Sequence, residues 1–322
     1  EGYAPFEQNL DDLSFVESEA GDSKALVKGI AKYFVDNGFS VGGFAASVTS
    51  CVPAAAGVSS SASFELLIAE IFNVLYNDGA VSKMKKAQAS QYAENVYFLK
   101  PCGLMDQSAI SLGGVSMIDF ENVENPFVLG VQYPFTDTDI VITNTGGNHA
   151  DLTSDYAAIR AEMEEVSEKF SEKYLRLVDY QKFLDAIPAL QNEVSGRAIM
   201  RAIHFFDENL RVDKAVSAIN MKNADAFYKI VGESGDSSFK LLQNCYVPAD
   251  TVQRIPLGIV LSQHVTGVKA VRVHGGGFAG TIIAFVEKAE THEYVEHMSE
   301  VFGAEHVYKL SIRQEGACRV EF

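Results

Sequence analysis

The amino-acid sequence predicts an α+β protein of two domains. Segments with the apolar spacing of a helix are mixed with short strand-like segments, and the two types do not alternate strictly. The chain has 322 residues, more than one hydrophobic core usually fills. Two prolines and two asparagines gather between residues 121 and 136, a change of composition typical of a domain boundary. We therefore expect a first domain at residues 1–127 and a second at 128–322.

In the first domain, apolar residues recur at helical spacing in two segments, and two further helices are expected. Leu26, Ile30 and Phe34 form one such stripe, and Asn37-Gly38 then provides a stop signal. The pattern predicts helices at Ser23–Asn37, Ala62–Tyr76, Ser82–Tyr97 and Met105–Leu112, and strands at Phe44–Ser50 and Val115–Phe120.

The second domain mixes a strand, several helices and a glycine-rich connection. Gly275-Gly276-Gly277 separates the last two strand-like segments, so the pair is expected to form a hairpin. The pattern predicts strands at Asp139–Thr143, Lys269–His274 and Thr281–Val286, and helices from Ser154 onward, at Gly196–Ile219, Ala224–Val231 and Asp250–His264.

Charge and cysteine usage narrow the classes of function. The formal net charge is −17, and no stretch concentrates lysine and arginine, so nucleic acid and anionic membranes are poor partners. No run of residues is apolar enough to span a bilayer, and the segment at Glu1–Pro5 does not resemble a signal peptide. The four cysteines lack the spacing of a disulfide framework or a zinc knuckle. We expect a cytoplasmic protein whose partners are small molecules.

The most informative local feature is a turn of small residues at Pro53–Ser63, which runs into a predicted helix. Backbone N–H groups at a helix N-terminus favour an anion, and small side chains allow phosphate oxygens to approach them. The serines at 59, 60, 61 and 63 add hydroxyls that can bind phosphate or Mg²⁺. No lysine follows the glycine, so this is not a Walker A loop. On spacing alone, an ordinary N-capped helix explains the turn equally well.

The same turn resembles the second motif of the GHMP kinases, and its extension to Ser63 and Glu65 points to the galactokinase branch of that family. The resemblance implies a two-domain α+β fold with the active site in the cleft between the domains. It also implies ATP and Mg²⁺ as cofactors. The implied ATP- and phosphate-binding residues are Gly57, Val58, Ser59, Ser60, Ser61 and Ala62.

A second segment, Pro101-Cys102-Gly103-Leu104-Met105-Asp106-Gln107, resembles the galactokinase segment that carries the catalytic carboxylate. Asp106 is thereby implied as a catalytic and sugar-binding residue, because a carboxylate can accept or orient the proton of the attacking hydroxyl. Glu94, at the family's offset before it, and Ser61 are implied as Mg²⁺ ligands. Without the resemblance, Asp106 is interpreted as a first-turn aspartate and Glu94 as a solvated helix charge.

Two further matches lie in the second domain. Tyr156 stands where galactokinases have a tyrosine that contacts the sugar, although it also begins the apolar stripe of its helix. Gly275 and Gly276, implied as substrate-binding, belong to a stretch similar to the family's C-terminal glycine motif. In that motif His274 replaces a usual threonine and Ala279 a usual glycine. His149, in a polar turn, is assigned no chemistry.

Compared with the galactokinase pattern, the sequence lacks the N-terminal signature that supplies an arginine and most sugar contacts. We therefore expect a truncated first domain whose sheet is incomplete, and weak or absent activity of this chain alone. The expected function is an ATP-dependent sugar kinase, converting galactose and ATP to galactose 1-phosphate and ADP, and monomeric when complete. Two alternatives stay open: a non-catalytic galactose and ATP sensor of the same fold, or a kinase for another sugar such as an N-acetylhexosamine.

Overall fold

The computed structural model describes residues 5–52, 57–146, 153–247, 251–278 and 280–321. The chain divides into two compact units, a first unit of Glu1–Gly130 with Ile312–Phe322 and a second unit of Val131–Ser311. Both units mix helices and strands, and the predicted α+β class is confirmed. The domain boundary expected at 127/128 stays a prediction.

Four helices form the body of the first unit. Asp22 and Ser82 begin two of them as caps, because their side chains accept hydrogen bonds from the backbone N–H groups of Lys24 and Lys85. The helices are α1 (Ser23–Asp36), α2 (Ser60–Tyr76), α3 (Lys83–Tyr92) and α4 (Met105–Leu112). The apolar stripes of α1 and α2 meet in one core, which contains Leu26, Ile30, Phe34, Ile68 and Phe72 and is joined by Ala89 of α3 and by Ala93. Strands β1 (Val115–Asp119) and β2 (Phe127–Val131) pair in a two-stranded sheet.

One predicted strand of the first unit is wrong. Residues 39–52 are irregular, so Phe44–Ser50 is not a strand. A strand needs neighbouring backbone to satisfy its N–H and C=O groups, and the apolar pattern of this segment does not supply a partner. Phe44 instead packs against Phe72 of α2, with ring centroids 5.6 Å apart. The apolar pattern therefore reflects side-chain packing without sheet formation.

The C-terminal segment of the chain packs against the end of α4. The N–H of Gly114 donates to the carbonyl of Arg313 at 2.8 Å, and that of Ala317 donates to the carbonyl of Ile110 at 3.2 Å. Gly113 has a φ of +72°, and a methyl group there would overlap the backbone of Gly316. Glycine is therefore required where these two backbones touch. This contact explains why the last residues belong to the first unit.

In the part of the second unit that the structure describes, there are an antiparallel sheet and six α-helices. The strand order is β4-β5-β3-β6, formed by β3 (Thr138–Asn144), β4 (Val268–Val273), β5 (Thr281–Glu287) and β6 (Val307–Leu310). In the register, Ala284 of β5 lies between Val141 of β3 and Val271 of β4. The helices are α5 (Thr153–Glu168), α6 (Tyr180–Leu190), α7 (Gly196–Asn220), α8 (Ala224–Ser237), α9 (Arg254–His264) and α10 (Thr291–Phe302).

Two clusters form the core of this unit. One lies on the sheet and includes Val141, Ile282, Ala284, Tyr294 and Met298. The other lies among α5, α6 and α7 and is centred on Phe183, Ala198 and Phe206. The predicted hairpin of β4 and β5 is confirmed, whereas α6, α10, β2 and β6 were not predicted. No helix within the described ranges is long and apolar enough to cross a bilayer.

Candidate active site

The N-terminus of α2 begins directly after a left-handed backbone. Ser59, the residue before the helix, has a φ of +57°, and Gly57 has a φ of +69°. The carbonyl of Ser59 accepts the first helical bond, from the N–H of Ser63 at 3.1 Å. The hydroxyl of Ser59 makes no capping bond to the helix. A helix leaves its first N–H groups without intrahelical partners, so this end of α2 retains the donors of an anion site.

The hydroxyl of Ser59 donates instead to Oδ2 of Asp106, in the first turn of α4. The segment before α4 is held by Asn95. The Oδ1 of Asn95 accepts from the N–H of Cys102 at 2.6 Å, and its amide donates to the carbonyl of Cys102 at 3.3 Å. These bonds fix where α4 begins, and therefore where the exposed Asp106 carboxylate stands beside the serine turn.

Glu94 lies in a π-helical turn, Ala93–Tyr97, that continues α3. Such turns are rare and often mark functional sites, because the extra residue redirects side chains. Glu94 is 2% exposed. Its Oε1 accepts from the hydroxyl of Ser61 at 3.1 Å and from the ammonium of Lys100 at 3.0 Å. A buried carboxylate and a serine hydroxyl from the start of α2 are thus in direct contact.

A second buried carboxyl group stands behind Glu94. Glu65 follows Ser61 by four residues, which places both on one face of α2. Gln107, next to Asp106, donates its amide to Oε2 of Glu94 at 2.8 Å and to Oε2 of Glu65 at 3.3 Å. Burial, and then the nearby charge of Glu94, raise the pKa of Glu65 to about 8. Glu65 is therefore largely a neutral acid at pH 7.

The donor set at Glu94 fits a magnesium ion. Mg²⁺ takes oxygen ligands and commonly binds one or two protein groups, with phosphates and waters completing its shell. Ser61 and Glu94 provide two such oxygens at the start of α2. Lys100 already places a cation on the same carboxylate oxygen, and its side chain is 62% exposed and can move away. The described residues contain no cluster of three or more His, Cys, Asp or Glu side chains that could hold a metal alone.

In the second unit, Tyr156 of α5 contacts the glycine loop between β4 and β5. Its hydroxyl donates to the carbonyl of Gly277 at 2.7 Å, and its ring meets that of Phe278 edge-on, with centroids 5.2 Å apart. A methyl group on Gly276 would lie 2.7 Å from the tyrosine ring. Burial raises the pKa of Tyr156. Glycine at 276 therefore allows the loop to lie against this ring.

Asn244 holds the same loop from the other side. Its side-chain amide donates to the carbonyl of Gly276 at 3.1 Å, and its backbone carbonyl accepts from the N–H of Phe278. Gly277 has a φ of +83°, and a methyl group there would overlap the carbonyl oxygen of Asn244. The loop is thus fixed by backbone contacts that leave no space for a side chain at position 277.

The chain is similar to known kinases in sequence and in fold. A family model of the GHMP kinases N terminal domain matches residues 25–114. A galactokinase of Clostridium tetani is 30% identical over 305 residues, 90% of this chain and 72% of the relative. A human galactokinase is 30% identical over 297 residues, 90% of this chain and 71% of the relative. The chain belongs to the galactokinase family. The crystal structure of Lactococcus lactis galactokinase complexed with galactose aligns with a TM-score of 0.75 and 25% identity, covering 95% of this chain and 79% of the other.

Within this galactokinase-family chain, the structure brings several predicted site residues together. Ser59 contacts Asp106, and Ser61 contacts Glu94, both in the first unit. Tyr156 contacts the loop of Gly275, Gly276 and Gly277 in the second unit. Pro53–Ala56, His149 and Ala279 lie outside the described residues. The roles assigned to all of the predicted site residues, in phosphate binding, catalysis, sugar binding and metal binding, stay predictions.

Sequence reasoning missed three groups around Glu94. Lys100, Glu65 and Gln107 all contact Glu94 or its neighbours, and none was assigned a role. The signal for Glu65 was available, since it lies four residues after Ser61 on the same helix. The contact of Lys100 with Glu94 depends on the π turn, which has no simple sequence signature.

Proposed function

We propose that this chain carries the phosphoryl-transfer site of a galactokinase, which converts galactose and ATP to galactose 1-phosphate and ADP. The observation that carries the proposal is the pair of contacts Ser59–Asp106 and Ser61–Glu94 at the start of α2. These contacts place the N-terminus of α2, proposed to bind phosphate, beside the Asp106 carboxylate for the acceptor hydroxyl and the Glu94 carboxylate for a metal. Membership of the galactokinase family supports galactose as the acceptor.

In this proposal the serine turn binds the phosphates of ATP. The N–H groups at the start of α2 and the hydroxyls of Ser59, Ser60 and Ser61 donate to phosphate oxygens. The small residues Gly57, Val58 and Ala62 leave room for the phosphates to approach the backbone. Ser61 and Glu94 hold Mg²⁺, which when bound neutralises charge on the phosphates.

Asp106 is proposed to interact with the proton of the sugar hydroxyl that attacks phosphorus. Its carboxylate accepts or orients the proton of the anomeric hydroxyl as the bond to phosphorus forms. The bond from Ser59 holds the carboxylate at the phosphate-binding helix end before the substrates arrive. Tyr156, Gly275 and Gly276 are proposed to contact the sugar. We place the enzyme in the cytoplasm, as a monomer.

The experiment measures both catalytic turnover and ligand binding, on the gene product that carries this chain. Asp106→Asn is expected to lower kcat by about 10²- to 10⁴-fold, the usual contribution of a positioned base, while calorimetry still detects an ATP analogue. Asp36→Asn is the matched control, because Asp36 pairs with Lys32 on the surface of α1 and carries the same charge. Binding of galactose and ATP without turnover by the unsubstituted protein would indicate a sensor. Faster turnover of an N-acetylhexosamine would reassign the sugar.

A further inference from the structure

The carboxylate of Glu94 is held between two different sets of partners. Oε1 accepts from the hydroxyl of Ser61 and the ammonium of Lys100, at 3.1 and 3.0 Å. Oε2 accepts from the amide of Gln107 at 2.8 Å. A carboxylate can rotate about its last bond. The hydrogen bond from Gln107 to one oxygen restrains that rotation, so that the other oxygen points to the start of α2.

Gln107 is itself anchored from behind. It is 1% exposed, and the same amide nitrogen also donates to Oε2 of Glu65, which is completely buried. Glu65 lies on α2 and Gln107 on α4, so the amide joins the helix of the serine turn to the helix of Asp106. The position of Glu94 is thereby coupled to both helices.

Packing alone does not explain this arrangement. Oε1 of Glu65 and Oε1 of Gln107 are both buried without a hydrogen-bond partner in the described part of the chain. Leaving a buried polar atom unsatisfied costs about 1–3 kcal/mol, which a leucine at 107 would avoid. The amide of Gln107 donates to two carboxyl groups while its own oxygen is unsatisfied, so its contribution lies in its contacts with those carboxyl groups.

We propose that Gln107 is a positioning residue that acts through Glu94, presenting its Oε1 to the metal, with Glu65 as the anchor of the amide. This inference rests on the proposed function, in which Glu94 and Ser61 bind Mg²⁺. Groups that orient metal ligands typically change metal affinity by about 10- to 100-fold when they are substituted. We expect an effect in that range at Gln107.

The test uses Mn²⁺ as the metal and a non-hydrolysable ATP analogue, with bound Mn²⁺ followed by electron paramagnetic resonance. Gln107→Leu should weaken Mn²⁺ binding in the ternary complex by about 10- to 100-fold, while the analogue alone binds nearly unchanged. Glu65→Gln should retain the affinity, because a glutamine oxygen still accepts from Gln107. Asn73→Leu is the matched control, since Asn73 is a buried amide on α2, twelve residues beyond Ser61 and so roughly 18 Å along the helix.

A second variant separates positioning from stability. Gln107→Met keeps an unbranched side chain of similar length, so it should disturb the packing less than Gln107→Leu, but it supplies no hydrogen-bond donor to Oε2 of Glu94. We expect it to recover folding stability relative to Gln107→Leu, measured by urea unfolding, without recovering Mn²⁺ affinity. Recovery of both would show that Gln107 has only a structural role and would overturn the inference.

The outcomes also distinguish this inference from the function on which it rests. Glu94→Gln serves as the reference, because it removes the charge of the proposed ligand. If Glu94→Gln weakens Mn²⁺ binding and Gln107→Leu does not, the positioning role is wrong and the metal site stands. If Glu94→Gln has no effect, the metal role of Glu94 fails, and the positioning role fails with it.

Discussion

The buried carboxyl group of Glu65 should make the stability of this protein depend on pH. Glu65 is completely buried on α2, beside the carboxylate of Glu94. Its pKa rises from 4.5 to about 8, first because of burial and then because of Glu94. The folded protein therefore binds a proton between these two pH values that the unfolded chain has released. Stability must fall as pH rises through this interval, and the decline ends above about pH 8.

The magnitude follows from the width of the interval. One pKa unit corresponds to about 1.4 kcal/mol, so the full difference between 4.5 and about 8 is worth up to about 5 kcal/mol of unfolding free energy. Glu65→Gln replaces the acid by an amide of the same shape that does not titrate. The unfolding free energy of the variant should therefore increase relative to that of the unsubstituted protein as the pH rises from about 5 to about 8. At about pH 5 the two should differ little, because Glu65 is then protonated in the folded state.

Urea unfolding followed by far-ultraviolet circular dichroism measures the effect, since the chain contains no tryptophan. Curves at about pH 5.5, 6.5, 7.5 and 8.5 give the difference in unfolding free energy at each pH. Glu7→Gln, at an exposed position, controls for the change in net charge. A difference between Glu65→Gln and the unsubstituted protein that is constant across this range would refute the reasoning, because it would mean that Glu65 is ionised in the folded state throughout.

Three further outcomes are expected from single positions. Gly277→Ala should destabilise the protein by about 3 kcal/mol in urea unfolding, because its methyl group would overlap Asn244. Gly275→Ala should cost only about 1 kcal/mol, because position 275 has open space and only its φ of +70° disfavours alanine. Equal costs at the two positions would contradict the contact between position 277 and Asn244. Ser59→Ala should be about 1 kcal/mol less stable than Ser59→Gly, because both lose the bond to Asp106 but only glycine relieves the left-handed backbone. Lys100→Met should tighten Mn²⁺ binding to the nucleotide-free protein by about tenfold or more, since the ammonium then no longer occupies Oε1 of the buried Glu94 and a hydrogen bond to a charged group is worth about 1.5–3 kcal/mol; weaker binding would instead show that Lys100 helps to retain the metal.

Much of the fold could be predicted from local patterns. Helix α4 begins and ends where the sequence predicts, because Asp106 lies in a favourable first turn and Gly113 ends the helix with a φ of +72°. The hairpin of β4 and β5 was equally clear, from two β-like segments around a glycine cluster. Helix α10 was missed although Tyr294, Met298 and Phe302 recur every four residues and are buried. The polar residues between Tyr294, Met298 and Phe302 made this apolar stripe difficult to recognise in the sequence.

The incorrect secondary-structure predictions share a physical cause, because tertiary contacts determine the conformation of these segments. The segment Phe44–Ser50 has a strand-like composition but no backbone partner, so it packs through side chains such as Phe44. Helix α2 begins at Ser60 rather than at Ala62, because the left-handed Ser59 allows an earlier start and directs its hydroxyl to Asp106. Neither result is encoded in the spacing of apolar residues.

The π turn at Ala93–Tyr97 connects the local fold to the chemistry of the site. In a regular continuation of α3, the residues after Tyr92 would follow an unbroken α-helical stripe. The π turn begins with both residues: Ala93 packs in the core, and Glu94 contacts Ser61 and Gln107. Gly29 of α1 makes this possible, since a methyl group there would lie 2.8 Å from Cα of Ala93. The close approach of α1 therefore supports the turn from one side, and the amide of Gln107 fixes its carboxylate from the other. If Glu94 binds the metal as proposed, Gly29→Ala should weaken Mn²⁺ binding followed by electron paramagnetic resonance, because the added methyl group would displace Ala93, the residue next to Glu94.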